Sequence, residues 1–365
     1  MENKRILILA NKYSTILNFR LEVVDALIKN GYEVYVSLPH HNRVAEIDAI
    51  GAKTIDTQIS GHGTNPIEDF KLMLTYTKLI KKIKPSLVLT YTIKPNVYGG
   101  MACTLCNVPY VANITGLGTA VENGGLMQKL TVFLYRLGLG KASTIFFQNR
   151  ENRAFFEKYH IAVDKHESLP GSGVNLSKFE LMDYPVDGEV HFAFISRIMR
   201  EKGIEQYLDA ARVIKKKYSN VYFHVCGFGS DEYEAKMKEL DNDGLIIYHG
   251  LLDDVRVMLK DAHCVIHPTF YPEGMSNVLL ESAASGRPII STDRPGCREA
   301  IDNGVNGYIV QEQNSEDLIE KVEEFLNLSY EKRKEMGIKG REKVTNEFDR
   351  NIVVNTYLEK AQQFC

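Results

Sequence analysis

The sequence lacks any long apolar run, because no stretch of its 365 residues approaches the roughly 18 consecutive apolar residues that would cross a bilayer. It also lacks an excess of either charge: 44 basic side chains stand against 47 acidic ones and leave a net charge of -3. The first absence leaves only peripheral contact with a membrane. The second gives no electrostatic case for nucleic acid as a partner, and none is expected.

Cysteine is also scarce, with six residues scattered mostly inside apolar runs. Together with the absence of a signal peptide pattern at the start, this predicts a reduced protein of the cytoplasm. Cys103 and Cys106 have the spacing of a zinc or redox pair. A zinc site needs a second such pair, and because the sequence has none, we expect two small core residues of a helix and no metal.

Apolar runs alternate with segments of helical periodicity along the whole chain. The run Arg5–Ala10 is followed by a helical pattern from Phe19 to Lys29, and the same alternation recurs to residue 148. After the Pro170–Gly173 turn it restarts, with strand-like runs from His191 to Val310. This alternation predicts an α/β protein with two Rossmann-like, doubly wound parallel-sheet domains that face each other across a cleft.

We place the domain boundaries at the irregular stretch that begins at Gly171. Residues 1–170 form the predicted N-terminal domain, and residues 171–345 form the predicted C-terminal domain. Residues 346–365 are predicted to form a helix.

The most informative segment runs from Pro268 to Glu281, where a strand end leads into a turn and then a helix. A helix that begins near Gly274 would put Glu281 on nearly the same face as the loop that carries Glu273. The N–H groups at its start would then form a site for an anion or for sugar hydroxyls, with contributions from Gly274, Met275, Ser276 and Asn277. The alternative is that Glu273 caps the helix and Glu281 is solvated.

A second group of candidates follows the predicted strand His191–Ile195, in the segment Ser196–Gly203. Arg197 and Lys202 then stand at the carboxyl end of a strand, where doubly wound folds bind ligands. Fixed cations stabilise the charge that develops on a departing diphosphate, and Arg can hold two phosphate oxygens at once. Ordinary surface cations are the alternative for this segment taken alone.

Two other motifs suggest different chemistry. Gly227-Phe228-Gly229 follows a strand but lacks the third glycine of a dinucleotide site, so a dehydrogenase is not expected. Asp241-Asn242-Asp243 imitates an Asp-x-Asp metal site, but it lies between a charged helix and a strand and is predicted to form a turn.

Taken together, these segments resemble family 4 of the GT-B glycosyltransferases, and the resemblance covers nearly the whole chain. Its motifs are Ser196-Arg197 with Lys202-Gly203, then Cys226–Gly229, the paired glutamates and Pro295–Glu299. The resemblance implies a retaining, metal-independent transfer from a nucleotide-sugar, with a UDP-hexose or UDP-N-acetylhexosamine favoured and no cofactor. It also implies residue roles: Arg197 and Lys202 on the diphosphate, Glu273 on the donor sugar, Glu281 on the ribose, and the backbone near Gly227, Gly229, Leu251 and Leu252 on the nucleobase.

The N-terminal half is similar to bacterial enzymes that extend undecaprenyl-diphosphate-linked glycans, such as N-acetylgalactosaminyl-type, capsule and O-antigen transferases. The matching stretches are Thr92–Gly99 and Asn113–Gly118, and within them Lys94, Asn113 and Gly116 are the candidates for acceptor binding. The resemblance implies a lipid-linked acceptor at the cytoplasmic face of the cell membrane. It also implies that residues 1–170 bind the acceptor, that residues 171–345 bind the nucleotide-sugar, and that the helix within residues 346–365 crosses back to the N-terminal domain. Many family members carry a histidine where this chain has Asn113–Gly118, so no general base is assigned.

Two helical stretches, Glu68–Lys84 and Leu126–Lys141, mix large apolar residues with Lys and Arg. Their basic faces suit anionic lipid headgroups, while ordinary amphipathic helices with an apolar face toward the core explain the same pattern. Two further functions remain open: a UDP-sugar epimerase of the same architecture, and a sugar-nucleotide sensor without turnover.

Overall fold

The structure is a computed structural model that describes residues 4–59, 65–117, 121, 124–272 and 274–365. The chain forms two compact units, Met1–Gly173 with Asn351–Cys365, and Val174–Arg350. Each unit is built on one sheet whose strands are all parallel. This confirms the prediction of two Rossmann-like parallel-sheet domains.

The sheet of the first unit has seven strands in the order β3-β2-β1-β4-β5-β6-β7. They are β1 Arg5–Leu9, β2 Glu33–Leu38, β3 Lys53–Asp56, β4 Leu87–Tyr91, β5 Tyr110–Ile114, β6 Thr144–Phe147 and β7 His166–Ser168. Every residue of β4, β5 and β6 is buried, because helices cover both faces of the sheet. Continuous burial explains why these strands appear in the sequence as unbroken apolar runs.

Helices of the first unit lie on both faces of this sheet. They are α1 Tyr13–Leu17, α2 Leu21–Lys29, α3 Ala45–Ala49, α4 Pro66–Ile83, α5 Gly100–Cys106, α6 Gly125–Leu139 and α7 Arg150–Lys158. Local sequence sets their ends: the Asn65 side chain accepts a hydrogen bond from the N–H of Ile67, Pro66 takes the first turn of α4, and Lys84 ends the helix in the left-handed conformation. Among the described residues, no helix combines the length and the apolar character needed to cross a bilayer.

The second unit has a six-stranded sheet in the order β10-β9-β8-β11-β12-β13. Its strands are β8 Val190–Ile195, β9 Val221–Cys226, β10 Ile247–Gly250, β11 Cys264–His267, β12 Ile289–Thr292 and β13 Gly307–Val310. Counted within the unit, this is the order 3-2-1-4-5-6 of doubly wound nucleotide-binding folds. The sheet order therefore reverses between β8 and β11.

Helices and two apolar clusters complete the second unit, one cluster on each face of the sheet. The helices are α8 Ile204–Lys217, α9 Asp231–Asn242, α10 Arg256–Asp261, α11 Asn277–Ala284, α12 Ser315–Leu326 and α13 Tyr330–Glu347. The last helix, α14 Arg350–Phe364, places Val353, Tyr357 and Ala361 in the core of the first unit. The aromatic ring of Tyr357 packs edge-on against Phe146 of β6.

Two glycines set the distance between α6 and the segment Pro95–Gly99, a turn of π-helix that leads into α5. A Cβ atom on Gly138 would lie 2.5 Å from the Cα atom of Val97, and one on Gly100 would lie 1.9 Å from the carbonyl oxygen of Gly138. Real Cβ atoms do not approach backbone this closely. Close backbone packing therefore fixes α6 against the Pro95–Gly99 segment and the start of α5.

We expect Gly138→Ala to lower the stability of the protein by roughly 1–3 kcal/mol, because α6 must move away from Val97. The matched control is Gly340→Ala in α13, where the added Cβ atom would lie 3.4 Å from the Cβ atom of Ala283. Alanine there favours the helix by up to about 1 kcal/mol. Thermal unfolding followed by circular dichroism measures both, and equal midpoints for the two variants would contradict the packing argument.

Candidate functional site

The site begins where the sheet of the second unit reverses its order, at the carboxyl ends of β8 and β11. Backbone hydrogen bonds tie the two segments that follow these strands. The N–H of Phe270 donates to the carbonyl of Glu201 at 2.9 Å, and the hydroxyl of Thr269 donates to the same carbonyl at 3.2 Å. In doubly wound folds such a reversal opens the crevice in which ligands bind.

A glycine makes this close approach possible. Gly203 has a φ of 78°, and a Cβ atom on it would lie 2.0 Å from the carbonyl oxygen of Pro268. Both the left-handed backbone and the contact exclude other residues. Gly203 thereby fixes the single 3-10 turn Arg200–Lys202 beside the segment after β11.

Arg197 and Lys202, the two predicted cations, converge on one aromatic ring. The guanidinium carbon of Arg197 lies 5.4 Å from the ring centroid of Tyr271, and the Nζ atom of Lys202 lies 4.9 Å from it. Lys202 is buried, with 7% of its surface exposed, whereas Arg197 is exposed. The sequence argument did not single out Tyr271. Its position two residues before Glu273, within the most informative segment, could have indicated a role in the site. Its ring lets both positive charges remain close together.

The loops after β9 and β10 lie beside this pair. Gly227 has a φ of 150°, and its Cβ atom would lie 1.8 Å from the carbonyl oxygen of Ser196. Its N–H donates to the carbonyl of Gly250 at 2.7 Å, and Gly229 forms a parallel bridge with Ile198. Leu252 is partly buried against the apolar cluster on the same side of the sheet. The predicted nucleobase-binding segments are thus neighbours of the cation pair.

The segment between Gly274 and Asn277 differs from the sequence prediction. Helix α11 begins at Asn277 rather than near Gly274, because Ser276 has an extended backbone and its N–H donates to the carbonyl of Gly296 at 2.7 Å. Gly274 is buried, and Met275 packs in the apolar core. The predicted group of N–H donors at residues 274–276 is therefore wrong for Ser276, and the donors of a helix N-terminus belong to the first turn of α11.

Glu281 lies one turn after Asn277 on α11, so the two side chains share a helix face. Burial raises the pKa of Glu281 to about 7, and the charges of Arg350 and Lys178 only partly oppose this rise. Asp254 raises the pKa further because its carboxylate repels a second negative charge. Glu281 is not the solvated helix residue of the alternative interpretation.

Glu273, the first of the paired carboxylates, lies outside the described residues. Gly118, which ends the second motif of the N-terminal half, also lies outside them. The predicted arrangement of Glu273 and Glu281 around one ligand stays a prediction.

The acceptor candidates lie at the carboxyl edge of the first sheet. The Nζ atom of Lys94 forms an ion pair with the Oδ1 atom of Asp69 at 2.9 Å. Asn113 is buried; its amide donates to the carbonyl of Thr90 at 3.0 Å, and its Oδ1 atom accepts a hydrogen bond from the hydroxyl of Tyr357. Gly116, with a φ of 148°, is partly exposed.

Two residues that sequence reasoning missed lie where this first sheet reverses its order, between β1 and β4. Thr92 has a φ of 72°, which is strained for a β-branched residue. Its hydroxyl and the Oδ1 atom of Asn11 are buried without a hydrogen-bond partner among the described residues. Leu9 pairs with Thr90, so Asn11 and Thr92 stand at the same level of the sheet edge. Polar atoms left unpaired at a strained position are typical of a ligand site.

Family models match both units of the chain. The model of "Glycosyl transferases group 1" matches residues 185–343, and the model of "Glycosyl transferase 4-like" matches residues 5–149. The chain is a GT-B glycosyltransferase of the group 1 and 4-like type.

Relatives of this glycosyltransferase include two bacterial enzymes. It is 27% identical to N,N'-diacetylbacillosaminyl-diphospho-undecaprenol alpha-1,3-N-acetylgalactosaminyltransferase of Campylobacter jejuni, over 97% of each chain. It is 24% identical to the capsular polysaccharide biosynthesis glycosyltransferase CapM of Staphylococcus aureus, over 80% of this chain and 83% of the relative. A crystal structure of Anabaena HepE in complex with UDP shares the fold, with a TM-score of 0.80, 15% identity, and coverage of 98% of this chain and 99% of that one.

The raised pKa of Glu281 predicts how the stability of this glycosyltransferase depends on pH. The pKa of Glu281 rises from 4.5 to about 7 on folding. Its contribution to the free energy of unfolding is therefore fully present below pH 4.5, and roughly 3 kcal/mol of it is lost as pH rises through 7. Glu281→Gln removes this loss, so the variant should unfold at a higher temperature than the wild type at pH 8 but not at pH 4.5.

The control for this experiment is Glu239→Gln, which changes an exposed glutamate of α9 and should leave both midpoints unchanged. If Glu281→Gln stabilised the protein equally at pH 4.5 and pH 8, ionisation of Glu281 would not lower the stability of the folded protein, and the prediction would be wrong.

Proposed function

We propose that the protein is a retaining glycosyltransferase that moves a sugar from a UDP-hexose or UDP-N-acetylhexosamine onto an undecaprenyl-diphosphate-linked acceptor in the synthesis of a bacterial surface glycan. The observation that carries this proposal is the convergence of Arg197 and Lys202 on Tyr271 at the reversal point of the second sheet. Two fixed cations at such an edge suit a diphosphate.

The cation pair supports a donor that leaves as a nucleoside diphosphate. As the bond between the sugar and the β-phosphate breaks, negative charge collects on the diphosphate, and charges held in place by packing stabilise it without reorganising. Lys202 is held by its burial and by the turn that Gly203 permits. Because the two cations supply the charge that a divalent ion would otherwise supply, we propose that the transfer is metal-independent.

Glu281 supports binding of a ribose. A carboxylate accepts hydrogen bonds from two neighbouring hydroxyls. Because burial makes Glu281 costly to ionise, hydroxyl donors from a ribose would stabilise its charged form more than they would stabilise a solvated carboxylate. Glu273 is assigned to the hydroxyls of the donor sugar by the family resemblance. UDP as the nucleotide is supported by the fold shared with HepE, whose structure contains UDP.

The chemistry we propose proceeds on one face of the sugar. The bond from the anomeric carbon to the β-phosphate oxygen breaks, and the acceptor hydroxyl forms its new bond to that carbon from the same side. The departing phosphate oxygen accepts the hydroxyl proton, so UDP leaves carrying that proton. Arg197 and Lys202 stabilise the departing charge, and no side chain needs to act as nucleophile.

The acceptor class is supported by the relative of Campylobacter jejuni, whose name gives a diphospho-undecaprenol-linked sugar as its substrate. The carboxyl edge of the first sheet offers polar groups for such an acceptor. Lys94, Asn11 and Thr92 stand there, the last two with buried unpaired oxygens among the described residues. We assign acceptor recognition to this edge.

A transfer assay tests the function. Purified protein is mixed with UDP-, GDP- or ADP-sugars and with detergent-dispersed undecaprenyl-diphosphate-linked N-acetylhexosamine, and nucleoside diphosphate release is measured with and without EDTA. We expect acceptor-dependent release from one UDP-sugar that survives EDTA, and a product whose anomeric configuration by NMR equals that of the donor. Glu273→Gln should lower the rate at least a hundredfold, while the exposed-site control Glu239→Gln should not.

Each other outcome of this assay contradicts a stated part of the proposal. Loss of activity in EDTA contradicts metal independence, and an inverted product contradicts retention. Conversion of the UDP-sugar without acceptor shows an epimerase, and donor binding without any turnover shows a sensor.

Binding of UDP and of uridine separates the roles of the donor-site residues. Lys202→Met and Arg197→Met should each weaken UDP roughly tenfold or more, since a charge-assisted contact is lost, and should leave uridine binding unchanged. Glu281→Gln should weaken both ligands by a similar factor, because both carry the ribose. Calorimetry at pH 8 measures all four proteins, and equal losses of UDP and uridine in Lys202→Met would contradict its place on the diphosphate.

A further inference from the structure

The outer side of α6 carries large apolar side chains, as its inner side does. Inside, Val132, Tyr135 and Leu139 pack in the core against the sheet. Outside, four large apolar side chains follow one another at helical spacing, with exposed fractions of 83% for Leu126, 40% for Leu130, 56% for Phe133 and 50% for Leu137. An ordinary amphipathic helix with a polar solvent side, one of the two interpretations of this sequence, does not describe α6.

Neighbouring helices continue this apolar surface. On α4, Ile67, Phe70 and Leu74 are 69%, 57% and 41% exposed, and on α5 Leu105 is 65% exposed. The three helices pack in the order α4, α5, α6, and all three send their buried residues into the same cluster on one face of the first sheet. Their opposite sides therefore share one surface, which we call the outer apolar surface.

Basic residues accompany this surface. Helix α6 contains no acidic residue, and its solvent side carries Lys129 and Arg136. Helix α4 exposes four lysines, Lys71, Lys78, Lys81 and Lys82, against one exposed acidic side chain, Glu68. The other acidic residue of α4, Asp69, is buried in its ion pair with Lys94. The surface as a whole is apolar, with basic side chains interspersed on α4 and α6.

We infer that the outer apolar surface lies on a bilayer that contains anionic lipid, with Leu126, Leu130, Phe133 and Leu137 among the acyl chains and the lysines among the headgroups. Helices of this composition, basic and apolar without acid on the outer side, bind in the interface plane of anionic membranes. Each Lys or Arg near such a surface raises the partition coefficient by roughly fivefold. The surface would hold the enzyme against a membrane that carries a lipid-linked acceptor, so its purpose rests on the proposed function.

The charge pattern favours a bilayer over a second copy of this chain. In a symmetric dimer through this surface, the basic side chains of both copies would come together without acidic partners from α6. A layer of anionic headgroups supplies negative charge across the whole surface instead.

Sedimentation with extruded vesicles tests the inference without donor or acceptor. The wild type should bind vesicles of phosphatidylcholine with 30% phosphatidylglycerol and bind pure phosphatidylcholine at least fivefold less. Changing Leu126→Gln together with Phe133→Gln should lower the partition coefficient at least tenfold, because glutamine keeps the helix but removes apolar surface. The matched control changes two exposed valines of the second unit, Val186→Gln and Val305→Gln, and should stay within twofold of the wild type.

Circular dichroism melting verifies that both double variants fold, which is expected because all four side chains are exposed. The inference would be overturned if the variant with Leu126→Gln and Phe133→Gln bound vesicles as well as the wild type. It would also be overturned if the wild type did not bind vesicles. Self-association of the wild type in the ultracentrifuge that the variant loses, without vesicle binding, would assign the surface to a second copy instead. Failure of the transfer assay leaves the vesicle result intact, so the two proposals fail separately.

Discussion

The backbone of Gly203 touches the carbonyl of Pro268, and the geometry of the donor site depends on that contact. It joins the segments that follow the two strands between which the second sheet reverses its order. The hydrogen bond from Phe270 to Glu201 adds to the same junction. The contact sets the distance between the turn that carries Lys202 and the segment that carries Tyr271, whose ring lies near both cations. Because Gly203 has no side chain, the turn that carries Lys202 can lie close to the segment that carries Tyr271.

Much of the fold follows from the sequence because parallel strands are buried on both faces. Their apolar runs stand out against the helices, and the restart of the pattern after Gly173 predicts a second sheet. The positions of Arg197 and Lys202 at a strand end follow from the same argument, since the carboxyl ends of parallel strands meet at one edge. These inferences need only periodicity and sheet geometry.

Other features depend on contacts between residues far apart in the sequence, which periodicity does not contain. The start of α11 was predicted three residues too early because Ser276 bonds to Gly296, 20 positions later. The strain at Thr92 depends on the backbone after β4. The sequence does not show that α6 exposes apolar residues, because the pattern of a helix with two apolar sides is the same as that of a helix with one broad apolar side. Burial alone separates these cases.

The first unit takes its last helix from the far end of the chain, and this has a consequence for synthesis on the ribosome. Val353, Tyr357 and Ala361 belong to its core, although residues 174–350 between them and the rest of that unit form the second unit. A nascent chain can complete the contiguous second unit first, while the first unit waits with the side chain of Asn113 lacking Tyr357. The first unit is therefore completed only after residues 351–365 have been synthesised, in contrast to the usual order in which the domain made first also finishes first.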